Sequence, residues 1–292
     1  MAVAQAFNGR IINADSMQVY GVMRVLTARP SPEDEARVEH RLYGYLHPSQ
    51  GCTTAQWRDD AAREIETALA CGKLPVVVGG TGLYLRTLME GISPIPDIPA
   101  DIRAAARDRL KAMGNAAFHA ELAAKDPVMA ERLGPTNTQR LARAWEVIEA
   151  TGRSLADWQA EPGHGALAAD WLPIVLDPPR DTLEMNIRTR FSRMLETGAL
   201  DETRAMADLH LPPDCPALKV LGLQELMAYL AGALDLPRAT ELAVIATRQY
   251  AKRQSTWFRH QMKAPNLFNE KFSESLCDKI FSKIRQFLLT QG

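Results

Sequence analysis

Leu74-Pro75-Val76-Val77-Val78-Gly79-Gly80-Thr81-Gly82-Leu83-Tyr84-Leu85 is the stretch of this 292-residue sequence on which the fold class turns. An unbroken valine run of this kind predicts a strand buried on both faces of a parallel sheet. The glycines that follow allow close backbone approach, and a helix starting near Leu83 leaves its first N–H groups free for an anion. A glycine-rich strand-to-helix turn is equally a packing device, so the local pattern leaves both uses open. Upstream, Arg10-Ile11-Ile12-Asn13-Ala14-Asp15-Ser16-Met17-Gln18-Val19-Tyr20 has the same logic. Ile11-Ile12 reads as a strand that runs directly into a carboxylate and a hydroxyl, and reactive groups of open α/β sheets gather past the carboxyl ends of strands. Asp15 is therefore a candidate for chemistry, its plainer use being to order a turn through nearby backbone amides.

Composition narrows the class. With 34 basic and 35 acidic residues the net charge is −1, so no overall field marks a polyanion binder, and any nucleic-acid surface must come from local clustering. Cys52, Cys71, Cys215 and Cys277 are widely spaced, without C-x-x-C pairs, and read as reduced structural thiols. No apolar run is long enough for a membrane span and the start lacks a signal pattern, so the expectation is a cytoplasmic protein.

Helical and strand periodicities divide the chain into residues 1–96, an α/β core; 97–171, an all-helical insertion bounded by Pro94, Pro96 and Pro99; and 172–292, the returning core with basic C-terminal helices. Residues 1–7 read as a short helix closed by Asn8-Gly9, and 55–70 as a helix capped by Thr53-Thr54. In the insertion, 101–113, 116–125, 127–133 and 138–151 read as helices, with Arg140, Arg143 and Arg153 giving a basic side. Residues 171–177 read as a strand, and 182–197, 201–210, 217–231 and 237–262 as helices. The last carries Arg248, Tyr250, Lys252, Arg253, Trp257, Phe258, Arg259 and His260, with Lys263 just beyond, and no acid from Arg248 onward. Cations interleaved with aromatics suit phosphate contact and base stacking; the aromatics serve equally well as core, with the charges turned outward.

Four stretches taken together resemble the tRNA dimethylallyltransferase (tRNA isopentenyltransferase) family: Ile11 to Tyr20, Val78-Gly79-Gly80-Thr81-Gly82-Leu83-Tyr84, Gln139-Arg140-Leu141-Ala142-Arg143-Ala144-Trp145-Glu146-Val147, and Thr247 to Arg259. They occur in the family's order and span nearly the whole chain. The resemblance implies a P-loop NTPase-like parallel sheet core flanked by helices, with a helical insertion that grips the anticodon stem-loop. It implies transfer of a dimethylallyl group from dimethylallyl diphosphate to N6 of the adenosine on the 3' side of the anticodon, by a monomer using Mg2+. By the same resemblance Asp15 is the catalytic base and a candidate Mg2+ ligand, and Thr81 faces the reaction channel. Arg190, Gly79 and Gly80 meet the diphosphate. Asp15, Ser16, Met17, Gln18, Arg103, Gln139, Arg140, Leu141, Ala142, Arg143, Lys252, Arg253 and Arg259 contact tRNA.

Members of that family open with a strand and the phosphate loop G-x-x-x-x-G-K-[ST], which does not occur in these 292 residues. The Lys for the diphosphate and the hydroxyl that is the main Mg2+ ligand are expected in a missing N-terminus, with a misassigned start preferred over a trimmed chain or a degenerate homologue. Gly222-Leu223-Gln224-Glu225 replaces the family's G-Y-R-[QE], an acidic position is lost near residues 42–47, and Asn186 stands where Arg is common. Competing readings are an adenylate isopentenyltransferase, a small-molecule kinase and a non-catalytic tRNA-binding homologue. The expectation is that the 292-residue chain transfers prenyl groups weakly or not at all; fast multiple turnover by purified protein of this length would overturn it.

Overall fold

The computed structural model describes residues 1–262 and 266–290, in which the chain forms two compact units, 1–89 with 168–292, and 90–167. Lys263 lies outside the described residues.

The first unit is built on β1 (Gly9–Asn13), which follows the short helix α1 (Ala2–Ala6) with little room to turn: a Cβ on Gly9 would lie 2.9 Å from the Ala4 backbone. Every β1 residue is buried because the strand is central. After α2 (Pro32–Arg37), which a Ser31–Asp34 capping box starts, β2 (His40–Arg41) pairs in parallel along one edge. Helix α3 (Thr54–Ala70) then crosses to β3 (Leu74–Val78), which pairs in parallel along the other edge with Ile11 opposite Val76. Thr53 caps α3, and Trp57, Ala61, Ile65 and Ala68 recur at helical spacing on its buried side. Trp57 is fully buried, stacks on Tyr84 of α4 (Gly82–Glu90) at 4.3 Å, and donates from Nε1 to the Asn13 carbonyl at 2.9 Å.

The valine strand departs from expectation. Its residues are half-buried, and Val78 is 47% exposed. The reason is position: among the described residues β3 pairs only with β1 and forms a sheet edge, so the two-sided burial implied by a valine run is incomplete.

The helices of the insertion belong to the second unit: α5 (Ala100–Lys125), α6 (Pro127–Arg132), α7 (Thr138–Thr151) and α8 (Leu155–Ala160). Gly114, at φ 75°, breaks α5 where the sequence places a gap between two helices. Phe118, Leu122, Leu141, Trp145 and Val147 form its core. The buried Asp126 carboxylate accepts from Met129 N and Ser154 Oγ, tying the starts of α6 and α8 together. This unit begins and ends earlier than residues 97 and 171. Ile92 and His164 exchange backbone hydrogen bonds, and Ile95 and Ile98 join the helical core.

Back in the first unit, β4 (Ile174–Leu176) is shorter than the expected seven-residue strand and pairs in parallel with β5 (Asn266–Phe268), which the sequence reading did not foresee. Between them run α9 (Arg180–Glu196), α10 (Ala199–Asp208), α11 (Leu223–Leu230) and α12 (Leu236–Gln261). The helix expected over 217–231 is divided: a 3-10 turn at Pro216–Lys219 precedes α11, with Gly222 at φ 85° against the Phe191 ring. A final helix, α13 (Glu274–Leu289), was also unforeseen; Leu276, Ile280 and Ile284 pack with Val3, Phe7, Leu74, Ile174 and Phe268, covering strands of both sheets. The pairings of β1 with β2, β1 with β3 and β4 with β5 are parallel. The four cysteines carry free thiols, and no helix among the described residues is long and apolar enough to cross a membrane.

Removing the Trp57 side chain takes away both a core-filling ring and the partner of the Asn13 carbonyl. Trp57→Ala is expected to lower stability by about 3–5 kcal/mol in urea unfolding, and Trp57→Phe by less.

Candidate active site

The carboxyl ends of β1 and β3 are joined by a short hydrogen-bond web. Ala14 N donates to Val78 O at 2.8 Å, Thr81 N to Ala14 O at 3.1 Å, and Ser16 N to Thr81 Oγ1 at 2.9 Å. Asn13, fully buried, shapes the turn: its Oδ1 accepts from Asp15 N at 2.8 Å, and its Nδ2 donates to the carbonyls of Asp15 and Leu42, each at 3.0 Å. Asp15 Oδ1 in turn accepts from Met17 N at 2.8 Å and Gln18 N at 3.3 Å. The turn-ordering role of Asp15 therefore uses one carboxylate oxygen; Oδ2 makes no hydrogen bond among the described residues.

The environment of Asp15 is unusual for a carboxylate. Burial pushes its pKa above the ordinary value, while the Met17 and Gln18 amides and the charge of Arg190 pull the other way. Arg190, on α9, is itself lowered by burial and held up by Asp15. Three phenols, Tyr43, Tyr84 and Tyr250, are all raised, chiefly by burial and in part by the Asp15 charge. A poorly solvated carboxylate with one open oxygen and an arginine in its field is suited to accept a proton from a weakly acidic donor.

The glycines of residues 79–82 are accounted for by protein contacts. A Cβ on Gly79 would lie 2.1 Å from the Ala14 carbonyl carbon, one on Gly80 would lie 1.9 Å from Gln254 Nε2, and one on Gly82 would lie 2.2 Å from the Trp257 ring. Gln254 Nε2 donates to Gly80 O at 2.9 Å. Of the two uses left open by the sequence, the packing use is visible, with α12 seated on this turn.

A profile of the IPP transferase family matches residues 18–261. The chain belongs to this family. It is 57% identical to the tRNA dimethylallyltransferase of Paramagnetospirillum magneticum over 99% of its own length and 91% of that protein. Among solved structures it is similar to the tRNA delta(2)-isopentenylpyrophosphate transferase of Staphylococcus epidermidis, with a TM-score of 0.66 and 29% identity over 97% of this chain and 92% of that one. It also resembles a eukaryotic dimethylallyltransferase acting on tRNA, with a TM-score of 0.72 and 26% identity over 88% of this chain and 65% of that one.

Against that family background, the residues expected to touch RNA separate into distinct groups. Gln139 and Arg140 are exposed on the first turn of α7 and have no protein partner among the described residues. Lys252 and Arg253 are exposed on α12, Lys252 without a partner among the described residues and Arg253 over the Tyr250 ring at 5.6 Å. Arg103 donates to Ile98 O at 3.0 Å, and Arg143 pairs with Glu146 at 3.3 Å. Three of the expected contact residues also have places within the protein. Leu141 is fully buried, because its place on α7 faces the helical core, while Ala142 beside it is half-buried. Arg259 is bound to Asp177 Oδ2 through Nε and Nη2, at 2.8 and 2.6 Å. The Gln18 amide donates to Thr27 O and Ala28 O, which pins a protein loop.

Sequence reasoning missed Asn13, Tyr43, Tyr84 and the seating on the 79–82 turn of the α12 face that holds Gln254 and Trp257. The last was legible only as an i, i+3 pair; the others required the fold.

For Mg2+, no three His, Cys, Asp or Glu side chains come together among the described residues. With its Oδ1 accepting from amides, Asp15 has one open oxygen, which fits an ion carried mainly by diphosphate oxygens and water.

Because the folded-state pKa of Asp15 is raised, its ionised form opposes folding; the penalty is complete above that pKa and vanishes as pH falls to the unfolded value. Asp15→Asn is therefore expected to raise Tm at pH 8, with the gain shrinking as the pH is lowered toward 4.

Proposed function

We propose that this chain transfers a dimethylallyl group from dimethylallyl diphosphate to N6 of the adenosine 3'-adjacent to the anticodon of tRNA. The observation that carries the reading is the half-buried Asp15 carboxylate, with one oxygen committed to the turn and the other open. An exocyclic adenine amine is a weak nucleophile because its lone pair is delocalised into the ring. As N6 bonds to the terminal allylic carbon, the carbon–oxygen bond to diphosphate breaks and the N6 proton passes to Asp15 Oδ2. A raised pKa makes that carboxylate a stronger base than a solvated one.

The departing diphosphate gathers negative charge, which Arg190 and the backbone near Gly79 and Gly80 would offset. Mg2+ bound with the diphosphate would neutralise part of that charge, while Asp15 serves the proton. Thr81, bonded to Ser16, holds the channel side of the Asp15 turn. The target base must leave its stack to reach a half-buried carboxylate. Lys252 and Arg253 of α12, and Arg103, Gln139, Arg140 and Arg143 of the helical unit, supply phosphate and sugar contacts for the anticodon stem-loop. The enzyme acts in the cytoplasm as a monomer.

The test mixes protein in excess over RNA with labelled dimethylallyl diphosphate and an anticodon stem-loop, with AMP as a competing acceptor. Label is expected on N6 of the adenosine next to the anticodon, with the rate reduced about 100-fold or more in Asp15→Ala and lost in EDTA. Preferential labelling of AMP would favour a free-nucleotide enzyme. Salt-sensitive RNA binding without label would favour a non-catalytic binder, and an unaffected Asp15→Ala rate would remove Asp15 as the base.

A further inference from the structure

The turn from β3 into α4, Gly79-Gly80-Thr81-Gly82, has a glycine at every position but one, so its backbone has little stiffness of its own. The peptide unit joining Gly80 to Thr81 is nevertheless held from both sides. Its N–H, on Thr81, donates to Ala14 O at 3.1 Å, and its C=O, on Gly80, accepts from Gln254 Nε2 of α12 at 2.9 Å. In a trans peptide these two groups point in opposite directions, so the plane is stretched between the end of β1 and α12. A carbonyl can only accept, so the Gln254 amide has to present its NH2 to the turn. The three atoms nearest to a Cβ built on Gly80 all belong to Gln254, and Trp257, three residues on, lies against Gly82.

This plane lies between the two halves of the reaction centre. On one side Thr81 fixes Ala14 through its amide and the Ser16 amide through Oγ1, at 2.9 Å, which brackets Asp15. On the other side is the Gly79 and Gly80 backbone assigned to the diphosphate. We propose that Gln254 is a positioning residue for the transfer reaction: its bond to Gly80 O sets the tilt of the Gly80–Thr81 peptide, and thereby the placement of Asp15 relative to the donor. It acts through that peptide and touches neither the adenine nor the diphosphate. Lys252 and Arg253 are exposed on the same helix, so the element that meets RNA phosphate also sets the catalytic turn. This inference rests on the assignment of Asp15 as the base, and its test has one readout that does not depend on that assignment.

Gln254→Met keeps the bulk of the side chain and removes the donor, so packing and hydrogen bonding are separated. The first readout is the exchange rate of the Thr81 amide proton by NMR, with the buried Ile65 of α3 as the internal reference for global opening. Thr81 exchange is expected to quicken about fivefold in Gln254→Met, with Ile65 unchanged. The second readout is label transfer with protein in excess. The rate at saturating stem-loop and donor is expected to fall about tenfold in Gln254→Met, with the half-saturating RNA concentration unchanged. Gly80→Ala pushes the Gln254 amide aside and breaks the same bond, so the double variant is expected to be no slower than Gly80→Ala alone.

Thr81 exchange at the parental rate, parental transfer by Gln254→Met, or losses that multiply in the double variant would overturn the proposal. So would a defect confined to RNA affinity, which would make Gln254 part of the RNA surface, or equal quickening at Ile65, which would make it a residue of general stability. If the parent transfers no label, the amide exchange decides the matter for Gln254, and the missing transfer counts against the assignment of Asp15.

Discussion

The hydrogen bonds that join the ends of β1 and β3 are the constraint from which the rest of the first unit follows. A carboxylate that is to act as a base must be poorly solvated, yet an unsupported carboxylate away from water is costly and tends to move or to take up a proton. The molecule resolves this by dividing the group: Met17 and Gln18 amides hold one oxygen of Asp15, and the buried Asn13 side chain holds the backbone on both sides of it. The Trp57 indole then satisfies the Asn13 carbonyl, so that the turn is anchored in the hydrophobic core and not merely at the surface. Precision of this kind is what positions a reactive atom to better than an ångström.

Helix α12 extends the same constraint outward. One face is seated on the 79–82 turn through contacts so close that side chains on Gly80 or Gly82 would be excluded. A second face carries Arg248 and Arg259, bound to Glu184 and Asp177, which fasten it to α9 and to the end of β4. Only Lys252 and Arg253 remain turned outward without an acidic partner among the described residues. A helix that reads as one basic stripe is thus two cations available to a polyanion and two that hold the fold together. Net cation count along a helix overstates the charge presented to RNA, because a close Arg–carboxylate pair is nearly neutral at a distance.

Much of this organisation was legible in the residues. Gly114 and Gly152 end helices where the pattern breaks, and Thr138–Thr151 stands as expected, since an amphipathic period between clear stop signals overrides most context. Short elements were less legible. The strand β5 and helix α13 were not foreseen, because three strand residues after a long helix carry no periodicity of their own and α13 owes its stability to partners from both ends of the chain. The valines of β3 show the limit of composition: they predict a buried strand, whereas burial depends on which neighbours are present at its edge.

By itself the sequence determined the alternation of helix and strand, the location of a carboxylate just past a strand end, and the family to which the chain belongs. These depend on local backbone preference, on periodicity and on short motifs, all of which are properties of neighbours along the chain. Only the tertiary structure decided that the glycines of residues 79–82 receive α12, that Leu141 faces a core, and that Gln254 reaches Gly80. Those facts join residues more than a hundred positions apart or depend on which side of a helix meets a partner. Hydrogen bonds and van der Waals contacts act over a few ångströms, and the spacing of letters in a sequence does not record that distance.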